Sequence, residues 1–511
     1  MPASHLFIVY LIQLLIVFLP SFGAAKMFEK AGVASWKAFI PFYNTWVMQE
    51  LAQRPKHWVF WQFIPVVGWF ITPGIFIEFV KLFGRFTLGE HTLATLFAPF
   101  YFSYLGYSDK IHYIGVEGAK RYKKPGWREW IDAAIFAIVA ATLIRTFVFE
   151  AYTIPSGSME KTLLVNDFLF VSKFSYGPRI PNTPLSIPFI HNYIPGTDRK
   201  SYSELIELPY IRWFASPVKR GDVVVFNFPA GDTVINLPNF QSYQPYYDVI
   251  RAFGNGDANK GRQYVLGNPD EYPILVHPPD KSDNYIKRCV GAPGETIEIR
   301  ENIVYINGVM ENVPPRSAIH YIVETNGQAL DPDVMKSEYN IDAEKNEYAS
   351  IGVNTFQMSL TWEAKNKMIK NGIIKNIKVD KSYNQGGGSV FPYDTLHHWT
   401  RDNFGPVWIP KKGSSVQLTP ENISFYERVI RTYEHNTLEQ KDGKFFINGK
   451  ETNTYTFKMD YYWMAGDNRQ DSQDSRYWGF VPEDRVVGKA SIIWFSYEGG
   501  PRWSRLFRVV K

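Results

Sequence analysis

The sequence contains a single cysteine, Cys289, among its 511 residues. One cysteine can neither form a disulfide within the chain nor build a cysteine-based zinc site, so stability must come from packed cores and a membrane. Charged residues are also few, at 21%, with 55 Lys and Arg against 50 Asp and Glu. This small positive excess over a long chain gives no reason to expect nucleic-acid binding.

Apolar and aromatic residues are abundant, at 45% and 16% of the chain. Such a composition excludes disorder over most of the length. At roughly 150 residues per domain, a chain of this size predicts about three structural units.

Long apolar segments are confined to the front of the chain, at about 6–25, 58–80, 92–107 and 130–149. Crossing a bilayer takes roughly 20 residues, so the third segment is short for a span. The first lacks the basic start of a secretory signal peptide, and we expect a retained span, with a cleaved signal peptide as the alternative. The sequence therefore predicts a membrane anchor of three to four transmembrane segments over residues 1–150.

Basic residues indicate how this anchor is oriented. They cluster in the loop between the first and second segments and again directly before the fourth. Loops rich in Lys and Arg stay in the cytoplasm. We therefore expect the fourth segment to run from inside to outside and residues 151–511 to lie on the external face.

Beyond residue 150 the pattern changes to short β-branched and aromatic runs between turn residues, which is typical of a mainly-β domain. Residues 167–174 and 222–228 are predicted strands. Residues 302–308 and 444–449 each lead a strand into Asn-Gly, the pair that favours a tight hairpin turn. The predicted fold class is a mainly-β domain behind N-terminal transmembrane α-helices.

Two other segments of the external part carry local signals. Thr419 followed by Pro420 predicts the start of a helix that ends near Asn436. A run of three glycines at 386–388 has no following Lys-Ser or Lys-Thr, so we expect a surface loop rather than a phosphate-binding one.

Several polar motifs interrupt the β pattern. Ser156-Gly-Ser158 follows the fourth apolar segment directly, Arg220-Gly-Asp begins a predicted strand, and Gly-Asp-Asn-Arg occupies 466–469. Lys287 lies inside the apolar run Tyr-Ile-Lys-Arg-Cys-Val. A Ser-Gly-Ser turn alone carries little weight. A lysine in an apolar strand is more informative, because desolvation lowers its pKa and suits it to accept a proton from a serine hydroxyl.

In this order, and after a transmembrane helix, these motifs resemble those of the type I signal peptidases, the bacterial membrane-bound serine proteases that remove signal peptides. The resemblance covers residues 130–171, 219–228, 284–308 and 456–495. The sequence departs from the family at Glu160-Lys161, where a proline frequently precedes Thr-Leu. It also has two insertions, at about 230–283 and 309–455.

The resemblance assigns a role to each motif residue. It implies that Ser158 is the nucleophile, that Lys287 is the general base, and that Ser472 orients the lysine. The oxyanion hole would combine the Ser158 backbone N–H with the Ser156 side chain. Four charged residues would support the site without reacting: Arg288, Asp467, Asp474 and Arg476. Six residues would line two shallow pockets for small substrate side chains: Tyr152, Ile154, Pro155, Met159, Leu163 and Ile286.

The implied activity is that of a serine endopeptidase that cleaves exported preproteins after Ala-X-Ala-like sites. The resemblance places it in the bacterial inner membrane as a multi-pass protein, with its catalytic domain on the extracytoplasmic (periplasmic) face. Its expected partners are signal-peptide-bearing preproteins, the lipid bilayer and the secretion machinery. No metal, cofactor or nucleic acid is expected.

Three alternative classes of protein compete with this interpretation. A Ser-His-Asp hydrolase is disfavoured, because no Gly-x-Ser-x-Gly surrounds Ser158 and no histidine lies in the motifs. A Ser-Lys self-cleaving repressor has similar chemistry but would carry a DNA-binding helix-turn-helix in place of apolar segments. The remaining alternative is a catalytically inactive membrane-anchored β-domain that binds exported proteins.

Overall fold

A computed structural model describes residues 3–64, 67–197, 199–229, 233–235, 245–254, 258–382 and 389–511. The chain forms two compact units, one of Met1–Val148 with Pro178–Trp213 and one of Phe149–Gly177 with Phe214–Lys511. The predicted glycine loop at 386–388 lies outside the described residues.

The first unit is helical. Its helices are α1 (Ala3–Phe18), α2 (Ser21–Lys30), α3 (Tyr43–Leu51), α4 (Trp58–Trp61), α5 (Val67–Lys81), α6 (Leu88–Leu96), α7 (Ala98–Tyr107), α8 (Gly115–Lys120) and α9 (Gly126–Phe147). Among the described residues, α9 is the one unbroken helix with the length and apolar composition to cross a membrane. The pair α1–α2, bent by 40°, passes the same test if it counts as one span.

The apolar segments are more broken than their composition indicates. The segment 6–25 is divided between α1 and α2, 58–80 between α4 and α5, and 92–107 between α6 and α7. Pro20 lies at the first break and Pro99 in the first turn of α7, where proline ends or starts a helix. The fourth segment corresponds to α9. Three to four spans stay a prediction.

Close helix contact builds the core of this unit. A Cβ atom on Gly23 would come within 2.2 Å of the Phe102 backbone, so α2 and α7 touch where no side chain intervenes. Phe28, Phe76 and Phe79 are buried around this crossing.

The second unit is mainly β, as predicted. Its strands are β1 (Phe149–Thr153), β2 (Asp167–Ser172), β3 (Val223–Asn227), β4 (Thr233–Ile235), β5 (Ile274–Val276), β6 (Asn284–Gly291), β7 (Thr296–Arg300), β8 (Ile303–Ile306), β9 (Val309–Met310), β10 (Ala318–Thr325), β11 (Tyr348–Gly352), β12 (Thr355–Thr361), β13 (Ile374–Val379), β14 (Phe404–Trp408), β15 (Ser415–Gln417), β16 (Leu438–Lys441), β17 (Lys444–Ile447), β18 (Lys450–Glu451), β19 (Thr454–Thr456), β20 (Tyr461–Ala465), β21 (Val481–Pro482), β22 (Val486–Ser496) and β23 (Arg508–Val509). Its helices are α10 (Tyr246–Gly254), α11 (Ala258–Gly267), α12 (Pro332–Tyr339), α13 (Trp362–Lys370), α14 (Ile423–Arg428) and α15 (Ser475–Trp478).

The main sheet has the order β1-β2-β22-β3-β6-β20-β21, and β23 pairs with β22. Adjacent strands are antiparallel. Both faces of β3 are buried: Val224 and Phe226 pack into one core, while Val223 and Val225 face others. Burial on both faces explains its unbroken apolar sequence.

Part of the second predicted insertion forms a sheet of its own, in the order β11-β12-β10-β13. Helices α12 and α13 cover it, and Val323, Met335, Met358 and Met368 are buried in its core. We call this part, residues 318–379, the inserted subdomain.

The local predictions for the second unit have mixed outcomes. Strands β2 and β3 agree with prediction, and both Asn-Gly turns form hairpins, β8–β9 and β17–β18, with positive φ at both turn residues. The predicted helix start at Thr419 is wrong. Asn422 Oδ1 accepts a hydrogen bond from the Thr419 backbone N–H, which makes a turn there, and α14 begins only at Ile423. A π-helical turn, Val429–Tyr433, follows it.

Candidate active site

Ser158 lies in a 3₁₀ turn, Gly157–Met159, between β1 and β2. The base of this connection is closed by backbone hydrogen bonds from Ile154 N to Asp167 O and from Asn166 N to Ile154 O, both 2.9 Å. Asn468 holds the turn from the other side: its backbone N–H donates to Ser158 O (3.1 Å) and its Nδ2 donates to Gly157 O (3.2 Å). The backbone of the serine turn is therefore fixed by two separate parts of the chain.

Lys287 approaches this serine from β6, which lies between β3 and β20. Its Nζ is 2.6 Å from Ser158 Oγ. The residue is only 3% exposed, and none of the described carboxylates forms an ion pair with it. Burial lowers the pKa of Lys287 from 10.5 to about 8, although the carboxylates of Asp474 and Asp467 oppose the shift. About a tenth of this amine is therefore neutral at pH 7, whereas an unperturbed lysine would be almost fully protonated.

A buried ion pair joins the Lys287 strand to the Gly-Asp-Asn-Arg segment. Arg288 Nε and Nη2 donate to the two carboxylate oxygens of Asp467, at 2.8 and 2.6 Å. Thr162 Oγ1 also donates to Asp467, at 2.7 Å. Burial opposes ionisation of Asp467, but the bonds from Arg288 and Thr162 prevail and hold its pKa below the usual range. Arg288 Nη1 donates to Gly221 O (2.6 Å), which connects the Arg-Gly-Asp motif to the same network.

A second buried pair lies within the polar segment after β20. Arg476 Nε and Nη2 donate to Asp474 at 2.9 and 2.8 Å, and Asp474 also accepts a bond from Gly466 N at 3.0 Å. Burial opposes ionisation of Asp474, but these bonds prevail and keep its pKa low. The four predicted supporting residues thus form two bidentate ion pairs, which is the stronger geometry for such contacts.

Ser472 does not make the predicted bond to Lys287. Its Oγ is buried and forms no hydrogen bond with any residue that the structure describes. The hydroxyl lies close enough to Asp474 to contribute to the lowered pKa of that carboxyl. It also packs against Gly466, where a Cβ atom would be 2.2 Å from Ser472 Oγ. The glycine is therefore required for the serine to lie here.

Ser156, the predicted side-chain oxyanion donor, is exposed, with an extended backbone at φ −138° and ψ 159°. The predicted pocket residues fall into three groups. Ile154, Met159 and Leu163 are fully buried beneath the serine turn. Tyr152 and Ile286 are partly buried against the core of Val171, Val225 and Val487. Pro155 is exposed.

Three residues to which the sequence motifs assigned no role also hold the turn: Thr162, Asn468 and Lys161. Lys161 is 8% exposed and has φ +72°. Its Nζ donates to Glu347 Oε1 (2.5 Å) and to Asn340 O (2.8 Å), both in the inserted subdomain. The one available signal was that Lys161 occupies the position where proline is frequent in the family.

No group of three or more His, Cys, Asp or Glu side chains is placed to hold a metal ion within the part of the chain that the structure describes. His397 Nδ1 lies 2.8 Å from Asp394 Oδ2. The fold and the site define a class: a mainly-β hydrolase with a candidate serine nucleophile beside a buried lysine.

Comparison with known proteins identifies the family. The family model "Signal peptidase, peptidase S26" matches residues 127–360 and 412–495, more than half of the chain. The chain belongs to the signal peptidase family, peptidase S26, which confirms the predicted relationship. A second model, a family of unknown function (DUF5684), matches residues 36–116.

Curated relatives support the same family. Signal peptidase I of Buchnera aphidicola subsp. Baizongia pistaciae is 25% identical over 382 residues, covering 75% of this chain and 81% of the relative. Signal peptidase I of Haemophilus influenzae is 25% identical over 391 residues, covering 74% of this chain and 75% of the relative. Signal peptidase I of Rickettsia canadensis is 29% identical over 180 residues, covering 35% and 43%.

Proposed function

We propose that this protein is a membrane-bound serine endopeptidase that removes signal peptides from exported preproteins, with Ser158 as nucleophile and Lys287 as general base. The observation that carries the proposal is the 2.6 Å separation of Lys287 Nζ and Ser158 Oγ in a buried setting that lowers the pKa of the lysine to about 8. A lysine can activate a serine hydroxyl only in its neutral form, and burial favours that form.

The catalytic cycle has two halves. In the first, neutral Lys287 accepts the Ser158 hydroxyl proton as Oγ attacks the scissile carbonyl carbon. The resulting oxyanion is bound by the Ser158 backbone N–H and the Ser156 hydroxyl. The Lys287 ammonium then protonates the leaving amine, which frees the mature protein and leaves the signal peptide as an ester on Ser158. In the second half, Lys287 activates a water molecule that hydrolyses the ester.

The remaining predicted residues position the dyad or bind substrate. The pairs Arg288–Asp467 and Arg476–Asp474 fix the segments on either side of Lys287. The exposed edge of β1 offers main-chain groups to an extended signal peptide. Small residues at the first and third positions before the scissile bond fit shallow pockets formed by Tyr152, Ile154, Pro155, Met159, Leu163 and Ile286.

Anchoring in the bacterial inner membrane, with the catalytic unit on the extracytoplasmic face, completes the proposal. Helix α9 ends at Phe147, eleven residues before Ser158 in the sequence. Enzyme and preprotein held in one bilayer meet at raised effective concentration, which also favours association with the secretion machinery.

Cleavage of a preprotein with an Ala-X-Ala site, in detergent or liposomes, tests the proposal. The full-length wild type is expected to cut, and Ser158→Ala and Lys287→Ala are expected to bind without cutting. Lys444→Ala, at a lysine whose side chain is 59% exposed in a surface ion pair, is the control and should match the wild type. A wild type that binds the preprotein but never cleaves it would favour the inactive binding domain instead.

A further inference from the structure

A cleft of about 320 Å³ opens beside the serine turn. Glu160 and Asn468 line it at the end nearest Ser158, and the inserted subdomain supplies the opposite side through His320, Lys345 and Glu347. Asn468 also donates its backbone N–H to Ser158 O, so the cleft begins within hydrogen-bond distance of the nucleophile's own backbone.

This cleft is separate from the surface assigned above to the signal peptide. None of the six proposed pocket residues lines it. Those residues lie in or directly after β1, in β6 or beneath the turn, whereas the cleft lies between the turn and the inserted subdomain. In an extended substrate that crosses Ser158, the signal peptide lies along β1. The residues after the scissile bond then enter this cleft.

The other titratable side chains that line the cleft each have a hydrogen-bond or ion-pair partner, whereas Glu160 has none among the described residues. Lys161 pairs with Glu347, His320 with Asp471 at 3.0 Å, and Lys345 with Glu498 at 3.3 Å. The Glu160 carboxylate forms no hydrogen bond or ion pair with any residue that the structure describes. Arg502 also interacts electrostatically with Glu160, but it forms its ion pair with Glu498.

Glu160 lies against the serine turn. Its Oε2 lies 3.7 Å from the position that a Cβ atom on Gly157 would occupy, so the carboxylate folds back over the residue before Ser158. The side chain is partly buried, and burial raises its pKa although Lys345 and Lys161 oppose the shift. A partly desolvated carboxylate without a partner gains most from a cation that arrives with a ligand.

We propose that Glu160 is a specificity-determining residue, which binds a Lys or Arg side chain at the first or second position after the scissile bond of the preprotein. This inference rests on the proposed function, because the position of the scissile bond is set by Ser158. It extends that function to the mature part of the substrate.

The test uses matched peptides with one Ala-X-Ala site and Lys, Ala or Glu at each of the two positions after it, cleaved by the full-length enzyme in detergent. For the wild type, kcat/KM for Lys should exceed that for Glu by about tenfold at one of these positions, the order expected of one charge-assisted hydrogen bond. Glu160→Gln should bring the ratio near one, and Glu160→Lys should reverse it.

Two controls separate the possible outcomes. Glu344→Gln makes the same change of charge on a side chain that is 88% exposed and outside the cleft, and it should keep the wild-type ratio. With the Ala peptide, Glu160→Gln should keep kcat/KM within about threefold of the wild type, as expected when no ionic contact is lost. This second result also shows that the variant is folded.

Three results would overturn the inference: a wild-type Lys-to-Glu ratio near one at both positions, a ratio that survives Glu160→Gln, or an equal loss of activity on all three peptides. In each of them the wild type still cleaves, so the proposed function stands. A wild type that cleaves no peptide would contradict the proposed function itself.

Discussion

Two buried lysines lie at the serine turn, and the groups that their ammonium nitrogens contact differ. Lys287 is 3% exposed and meets a hydroxyl, Ser158 Oγ. Lys161 is 8% exposed and meets a carboxylate, Glu347, together with the Asn340 carbonyl. Burial alone therefore does not make a lysine a base. An adjacent carboxylate stabilises the charge of a buried ammonium group. A neutral hydroxyl does not, so burial beside it favours the neutral amine.

The largest expected effect comes from Lys287→Met. Cleavage should fall by at least about 10³-fold, because the serine loses its proton acceptor. Stability should change in the opposite direction. The pKa of Lys287 is about 8 in the folded state and near 10.5 in the unfolded state, so the unfolded state binds more protons between these pH values. The free-energy cost of burying the charged lysine is therefore present in full below pH 8 and is lost as the pH rises toward 10.5. At pH 7 the variant should gain about 1–3 kcal/mol in free energy of unfolding.

Activity assays and thermal unfolding in detergent at pH 7 and pH 10.5 check both parts. The stability gain should shrink at the higher pH, where the lysine is neutral in the folded state and about half protonated in the unfolded state. Activity within tenfold of the wild type, or a lower unfolding midpoint at pH 7, would contradict the assignment of Lys287 as an uncompensated base.

The next effect concerns Lys161→Met, which should lower the free energy of unfolding by about 3 kcal/mol. This change leaves Glu347, whose side chain is 11% exposed, without its cation. Cleavage should fall far less than in Lys287→Met, because Lys161 contacts neither Ser158 Oγ nor Lys287. Thermal unfolding and kcat/KM measured on one preparation separate these effects, and a variant as inactive as Lys287→Met would remove the distinction between the two lysines.

The smallest effect is the coupling between Lys161 and Glu347. Glu347→Gln combined with Lys161→Met should destabilise the protein by about 1–2 kcal/mol less than the sum of the single changes. A double-mutant cycle of unfolding midpoints, converted to free energies, gives this value. Additive changes would mean that the pair does not anchor the turn to the inserted subdomain.

The sequence predicted local features more successfully than distant contacts. Alternation and turn residues were sufficient for the mainly-β fold, for β2 and β3, and for both Asn-Gly hairpins, because these depend on neighbouring residues. Family motifs placed Ser158 and Lys287 together as a hypothesis, and the two atoms are 2.6 Å apart. The catalytic roles themselves stay predictions.

What the sequence did not indicate depends on residues far apart in the chain. Lys161 and Glu347 are 186 residues apart, and no local pattern links them. Asn422 displaced the predicted helix start because its side chain could bond to the Thr419 N–H, a competition that composition does not resolve. Ser472 lies against Gly466 and does not bond to Lys287, and this packing is a property of the folded chain that a sequence motif does not contain.

The pH dependence of kcat/KM, measured on a peptide without titrating groups, is the sharpest test of Lys287 as the general base. We expect kcat/KM to rise with increasing pH as one proton is lost with an apparent pKa near 8, since only neutral Lys287 can accept the Ser158 proton. The Lys161→Met variant should show the same rise of kcat/KM with pH, although the folded protein is less stable. A profile that is flat from about pH 6 to pH 10, the range that brackets the titration of this lysine, would rule out Lys287 as the general base.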